Sequence, residues 1–465
     1  MKSLLTFLLV VFYISGQAKT TFPKGSNSSQ ARPQFHFSSK KHKTGSPVGL
    51  IYCSGEYHLF YECKSGKNSL GHAVCNDLLH WKEMPEASVS EENTDIRSMS
   101  VIIDKNNTWN RPADNVNPMI VFYTDKHYEQ QMAISTDKGK TWEKTGGNLL
   151  IPCSKTDSAF VSKVIWHKAS AKWIMLMSRK LSGNHRGTSF YSSKDLLNWK
   201  WESDFSGFQV SSDLVEFNAS SRSNGKIWAL FNNKGSYLPG NFDGKNFTKI
   251  SNICRNNYGR NFYAPQIVRN MPADDGRIIQ IAGIHERQFE GQMSVPTVLS
   301  MKEKGAGYKL IQHPAKELVN LYDKDYEWKN KNIIPGINQN PMRRLNGKCF
   351  HFIADLDIKT SNNFGIVVRH NKKVQGTEIL FNIKQKELSM PGVTVPLKPK
   401  GDEISFELLI DHTSIELFTN EGEVVVSRRF SPAEGANSYV LFTNGGEIKI
   451  EKMLVYSINS VWDKK

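Results

Sequence analysis

The sequence predicts an all-β protein: a five-bladed β-propeller followed by a C-terminal antiparallel β-sandwich. Three observations carry that expectation. Helical periodicity is almost absent over the 465 residues, and apolar runs rich in β-branched and aromatic residues alternate with short polar turns instead. A strand-and-turn unit recurs through the first part of the chain, the mark of radial repetition. Beyond about Lys316 that unit stops and short strands separated by turns take over, as in a two-sheet sandwich.

In chain order, the first element is an expected secretory signal over residues 1–20. Lys2 supplies its positive end, residues 4–14 its apolar run, and Gly16-Gln17-Ala18 a small-residue cleavage site. The run is too short for a bilayer span, and no later segment reaches the required length. No cysteine lies near the cleavage site, which argues against a lipid anchor. The expected location is therefore secreted or periplasmic.

The propeller is expected over 30–318. DLLHWK at 77–82, DKGKTWEK at 137–144 and DLLNWK at 195–200 recur roughly every sixty residues, each after a strand-like run (GHAVCN, QMAIST, TSFYSS). A more apolar strand comes before each unit, and five such strands occur in all: EYHLFYE from Glu56, PMIVFYT from Pro118, KWIMLMS from Lys172, KIWALFN from Lys226 and GRIIQIA from Gly276. The repeats alone fix the number of blades only to within one. The recurring Asp and Trp (Asp77, Trp81, Asp195, Trp199) read as a structural turn and a packed indole rather than a sugar-binding code. Residues 317–335 read as a polar linker. The sandwich is expected over 336–465, from FHFIADLDI at 350 to IKIEKMLVYS at 448, with Trp462 packing back onto the body.

Composition narrows the chemistry. Six cysteines, at 53, 63, 75, 153, 254 and 349, form no CxxC pair, and His58, His72 and His80 lack metal-ligand spacing. No metal and no cofactor are expected; buried thiols and disulfides both stay open for an exported chain. N-x-S/T sequons begin at Asn27, Asn106, Asn218 and Asn246 and matter only in a eukaryotic host. The formal net charge of +15 fits a lysine-rich solvated surface, and otherwise attraction to an anionic surface or acidic polysaccharide. No concentrated basic stripe supports a nucleic-acid partner. Nothing in the sequence determines the oligomeric state.

The ordered segments RPQFHFS (32–38), GEYHLFY, LGHAV-x-x-DLLHW, QQMAISTDKGKTW (130–142), FDGKNF (242–247), NFYAPQ (261–266), MSVPTVLSMK (293–302) and IDHTSIELFTNEG (410–422) resemble glycoside hydrolase family 32, the invertases, levanases and inulinases. The likeness runs from Arg32 to Trp462 and implies the same propeller and sandwich. It also implies three carboxylates at the propeller axis. A retaining glycosidase needs a nucleophile and an acid/base about 5 Å apart across the scissile bond, and the family adds a third carboxylate that holds sugar hydroxyls.

Each of the three family motifs is altered here. The W-M-N-D-P-N-G stretch reads Lys43-Thr44-Gly45-Ser46-Pro47-Val48-Gly49, which puts Ser46 at the nucleophile. R-D-P reads Phe160-Val161-Ser162, with Val161 at the stabiliser, and E-C-P reads Val210-Ser211-Ser212, with Val210 at the acid/base. Valine neither transfers a proton nor bears charge, and a serine without an adjacent base is a poor replacement for a carboxylate. Sugar-contact positions are changed as well. Lys43 and Leu70 stand where the family places tryptophans, as does Gln209 before E-C-P; Glu62 replaces a glutamine, and F-S-G-S reads Arg97-Ser98-Met99-Ser100.

Six polar residues map to the cleft as ligand-binding candidates: Glu62, Asp95, Arg97, Asp157, Arg186 and Asp213. For each, the competing interpretation is a solvated loop residue or a strand-end ion pair. The family keeps an acid at Asp213 as structural support. Glu62 puts a charge where an amide stood, which rejects the old ligand or recruits a cation. The resemblance therefore implies an inactive pseudo-glycosidase reused to bind carbohydrate, a fructan or an acidic glycan, or to bind a protein. The alternative is a glycosidase cleaving O-glycosyl bonds of a fructan or other glycan with a relocated set built on Glu62 and Asp213.

Overall fold

The structure is a computed structural model. It describes residues 32–462 apart from 65–67, 87, 89–95, 111–116, 146–150, 152–157, 182–184, 210–212, 220–224, 286–290, 306 and 337–339. The expected signal and its cleavage site lie outside the described residues. Among the described residues the protein is all-β, with helical turns confined to 3-10 segments at Lys168–Ser170, Lys316–Leu321 and Pro341–Arg344. None forms a helix long and apolar enough to cross a membrane.

Five antiparallel sheets fill the N-terminal part, each built on a path of four paired strands, with one short extra strand in the fourth and one in the fifth. Their first strands are Thr44–Cys53, Ile96–Ile103, Phe160–His167, Asp213–Asn218 and Phe262–Ile267. Each first strand contacts the next in that order, and the fifth contacts the first. Backbone hydrogen bonds reinforce this last junction: the Arg269 N–H donates to Leu50 O and the Tyr52 N–H to Arg269 O, both at 2.9 Å. Apolar side chains fill the spaces between neighbouring sheets, as Ile102, Phe122, Val164 and Met175 do between the second and third.

The repeated motifs show how sequence dictates the turn before each outer strand. Asp77 Oδ1 accepts from the Leu79 and His80 N–H groups at 3.0 and 2.9 Å, while Leu78 takes a φ of 65°. The Trp81 indole N–H then donates to Leu78 O at 3.0 Å. Asp195, Leu196 and Trp199 repeat the arrangement, with Leu196 at φ 66° and an indole bond of 2.9 Å. In the second sheet Asp137 accepts from Lys140 and Thr141, with Lys138 at φ 63°. A short carboxylate that satisfies two turn N–H groups offsets the cost of the left-handed residue. These aspartates and tryptophans are turn and packing residues.

The remaining chain forms a six-stranded and a five-stranded antiparallel sheet. Their inner faces share one core, in which Phe350, Phe352 and Phe406 of one meet Phe364, Phe381 and Leu388 of the other. The expected linker at 317–335 is a correction: Tyr322–Ile333 is a strand hydrogen-bonded along Ile448–Ile458 at the edge of the six-stranded sheet. This sheet therefore begins before residue 336. Lysines and aspartates hide the strand in the sequence, because an edge strand faces water and tolerates charge; Tyr326 and Trp328 still pack on the core. Trp462 does fold back, with its indole N–H donating to Pro33 O at 2.7 Å and the Arg32 guanidinium 3.7 Å from its ring centre.

Five described cysteines are free thiols, with Cys53, Cys63, Cys75 and Cys349 buried and Cys254 half-buried; Cys153 lies outside the described residues. Two of the histidines read as structural form a buried, stacked pair, His58 Nδ1 lying 3.0 Å from His72 Nε2. Burial lowers His58 to about 4, and burial together with the neighbouring His58 lowers His72 to about 3. Unfolding frees both rings to take up protons near the ordinary value of 6.5, so acid favours the unfolded chain. The urea midpoint is expected to fall as pH drops from about 6.5 to about 4. A His58→Leu/His72→Leu double variant should lose that part of the slope, and an unchanged slope would refute the assignment.

Candidate functional site

The three positions expected from the resemblance to have carried the carboxylates are placed in the chain at or just before the starts of first strands. Ser46 is the third residue of Thr44–Cys53, Val161 the second of Phe160–His167, and Val210 precedes Asp213–Asn218. Val210 itself lies outside the described residues, as do Asp95 and Asp157. The five first strands contact one another in turn, the fifth with the first.

Ser46 is buried, and its backbone N–H donates to Glu62 Oε2 at 3.4 Å. Gly45 permits this approach, since a Cβ there would stand 2.6 Å from Glu62 Cβ and from Glu62 O. Burial first, and then the Glu62 negative charge, push the Tyr263 phenol up; its hydroxyl accepts from Asn233 Nδ2 at 2.6 Å. Glu62 thus brings a carboxylate to the backbone of Ser46.

Val161 is fully buried among the apolar side chains between the second and third sheets. A bulge sets it there: opposite Leu176 and Met177 the register jumps from Lys163 to Val161, skipping one position on this strand. Residues two apart normally share a face. The extra residue breaks that rule, so Val161 enters the core while Lys163 points elsewhere.

Lys163 reaches the interior of the ring, where Asp213 waits. Both are almost completely buried; Lys163 Nζ lies 3.6 Å from Asp213 Oδ2 and donates to Gln266 Oε1 at 2.5 Å. Arg269 Nη2 pairs with Asp213 Oδ1 and donates to Leu214 O. The Leu214 and Ile267 N–H groups also donate to the Asp213 carboxylate, at 2.8 and 3.2 Å. Burial lowers Lys163 to about 8 against the opposing attraction of Asp213. Asp213 is thus engaged by two cations and two backbone donors.

The other candidates lie outward. Arg97 is exposed, with its guanidinium 4.5 Å from the Tyr128 ring centre. Arg186 is exposed, 5.9 Å from the ring centre of Phe160 at the start of the third sheet. Lys43 is exposed and Leu70 is sunk in the core, and neither side chain is an aromatic stacking platform. The structure therefore joins Glu62 to Ser46, and Asp213 to Lys163 and Arg269. Lys163, Arg269 and Tyr263 were not singled out as site residues. Lysine in the otherwise apolar FVSKVIWH and arginine closing PQIVR were the available signals, since a charge inside a buried strand requires a partner.

The comparisons agree with this architecture. The Glycosyl hydrolases family 32 N-terminal domain matches residues 36–314, and the Glycosyl hydrolases family 32 C terminal domain residues 317–457. The chain is 28% identical to a levanase of Bacillus subtilis (strain 168), over 93% of this chain and 71% of that protein. It is 26% identical to a levanase of Bacillus sp. (strain L7), over 93% of this chain and 52% of the relative, so it spans about half of that protein's length. The crystal structure of an exo-inulinase from Aspergillus awamori superposes with a TM-score of 0.80 at 23% identity, covering 93% of this chain and 99% of that one. With both domains matched in order along one all-β chain, the protein belongs to glycosyl hydrolase family 32.

Proposed function

We propose that this family 32 protein has given up hydrolysis and serves as an exported carbohydrate-binding protein. Its five sheets are read as the blades of a five-bladed propeller and its last two sheets as a sandwich. The observation that carries the reading is Val161: the stabilising carboxylate of the family is replaced by a valine buried in the core, and Ser46 and Val210 stand at the other two positions. Losing one catalytic carboxylate typically removes orders of magnitude in rate, and losing all three leaves binding alone. The relatives' names point to levan and inulin, and the positive net charge favours an acidic glycan as the further ligand class. The apolar run at residues 4–14 supports a secreted or periplasmic location.

The test is incubation of the purified protein with sucrose, levan, inulin and a panel of acidic glycans, measuring released reducing sugar and, by calorimetry, binding. The expected result is no release above a protein-free control and saturable binding to at least one glycan. Turnover that rises with protein concentration would overturn the proposal. One observation favours the second reading, a relocated catalytic set: the Glu62 carboxylate stands beside the Ser46 N–H. Under that reading hydrolysis is measurable and Glu62→Gln abolishes it.

A further inference from the structure

We propose that His42, Cys63 and Glu86 form a binding site for one divalent cation of the zinc class. The proposal does not depend on whether the protein cleaves sugar. Sequence spacing hides it, because 21 and 23 residues separate the ligands and no short motif joins them. The first sheet brings them together. His42 stands two residues before the Thr44–Cys53 strand, Cys63 lies opposite Thr44 in the neighbouring strand, and Glu86 follows the short outer strand Lys82–Glu83. Alternation along its strand turns Cys63 to the opposite face from Glu62.

The geometry is convergent. One ligand atom from each of the three residues lies within 4.8 Å of the others. The Cys63 thiol donates to Glu86 Oε1 at 3.1 Å, and His42 Nε2 pairs with that same oxygen. Atoms bound to one tetrahedral zinc stand about 3–4 Å apart, given bonds of about 2.0–2.3 Å, so small side-chain rotations suffice. Thiolate, imidazole and carboxylate together suit zinc and its neighbours, whereas calcium and magnesium select oxygen ligands. Cys63 is buried, and the His42 and Glu86 side chains are 28% and 29% exposed. A three-ligand zinc site of this kind is completed by water in the fourth position, and the partial exposure of His42 and Glu86 gives solvent access to the cluster. On binding, the thiol gives its proton to solvent, the imidazole binds as the neutral base, and Glu86 exchanges its contacts with Cys63 and His42 for the cation.

The test uses the full chain stripped with a chelator and titrated with Co²⁺ as a spectroscopic probe, then with Zn²⁺ as competitor. One equivalent of Co²⁺ should produce a thiolate-to-cobalt charge-transfer band in the near ultraviolet, and Zn²⁺ should erase it. Cys63→Ser should abolish the band, while His42→Ala and Glu86→Gln should weaken binding at least about tenfold. Cys254→Ser, which removes the half-buried thiol elsewhere, should leave the band unchanged. Zn²⁺ should also raise the melting temperature of wild type and not of Cys63→Ser, a comparison that shows in the same experiment that the variant folds. No band in wild type, or a band that survives Cys63→Ser, would overturn the site.

Discussion

Asp213→Asn should unfold at a markedly lower denaturant concentration than wild type, with a loss of about 3–5 kcal/mol, the usual cost of removing one partner from a buried ion pair. The amide keeps the shape of the carboxylate and removes its charge, so Lys163 and Arg269 are left as two cations facing each other around an interior site. The damage spreads because the network ties four sheets together. Lys163 comes from the third, Asp213 from the fourth, Gln266 from the fifth, and Arg269 hydrogen-bonds through its backbone to the first. Lys163→Met is the informative partner variant. Asp213 then keeps Arg269, and the main loss is the donor to Gln266 Oε1, about 1–3 kcal/mol. Burial already lowers Lys163 to about 8, so removing its charge near neutral pH costs little. Urea unfolding of both variants decides the matter: equal losses would mean that packing, and not charge, dominates at this site.

His36→Gln should be comparably severe, at about 3–5 kcal/mol, and should change the pH profile as well. His36 is fully buried between two carboxylates, with Nδ1 2.7 Å from Asp411 Oδ2 and Nε2 2.8 Å from Glu416 Oε2. Burial alone would lower its pKa, but the hydrogen bonds to Asp411 and Glu416 outweigh it and raise the value to about 9. Asp411 also accepts from the backbone N–H groups of Gln34, Phe35 and His36, and Glu416 from that of Val295. This cluster locks the N-terminal segment and the fifth sheet against the six-stranded sheet.

Because the folded protein holds the His36 proton more tightly than the unfolded chain, the stabilisation is complete below about pH 6.5. It fades as pH rises toward about 9, by roughly 3 kcal/mol in all. Asp411 behaves oppositely: burial would raise it, the contacts with His36 lower it, and its contribution is lost only in strong acid. Combined with the acid-sensitive His58–His72 pair, stability should be greatest near pH 6.5. Denaturant midpoints at pH 5, 6.5 and 9 measure this for wild type, and the decline between 6.5 and 9 should be absent from His36→Gln. A variant that keeps the decline would show that another group titrates there.

Much of the architecture was legible in the residues themselves. Strand alternation, the Asp and Trp of the turns, and the change of pattern near Lys316 are short-range signals, because a strand's periodicity and a turn's hydrogen bonds involve residues a few positions apart. The proposed loss of the three carboxylates rests on the sequence alone, since a valine cannot be ionised by any surroundings. The Tyr322–Ile333 strand escaped notice because an edge position removes the apolar signature on which such reading depends.

Only the tertiary structure decided which polar residues meet. Asp213 and Glu62 both looked available for chemistry. Packing surrounded Asp213 with Lys163, Arg269 and two backbone donors, and set Glu62 beside Ser46. His36 meets partners 375 and 380 positions away, and His42, Cys63 and Glu86 converge across the strands of one sheet. Strand pairing, bulges and sheet-to-sheet packing set these encounters, and charge interactions take their strength from a burial that no local stretch of sequence specifies.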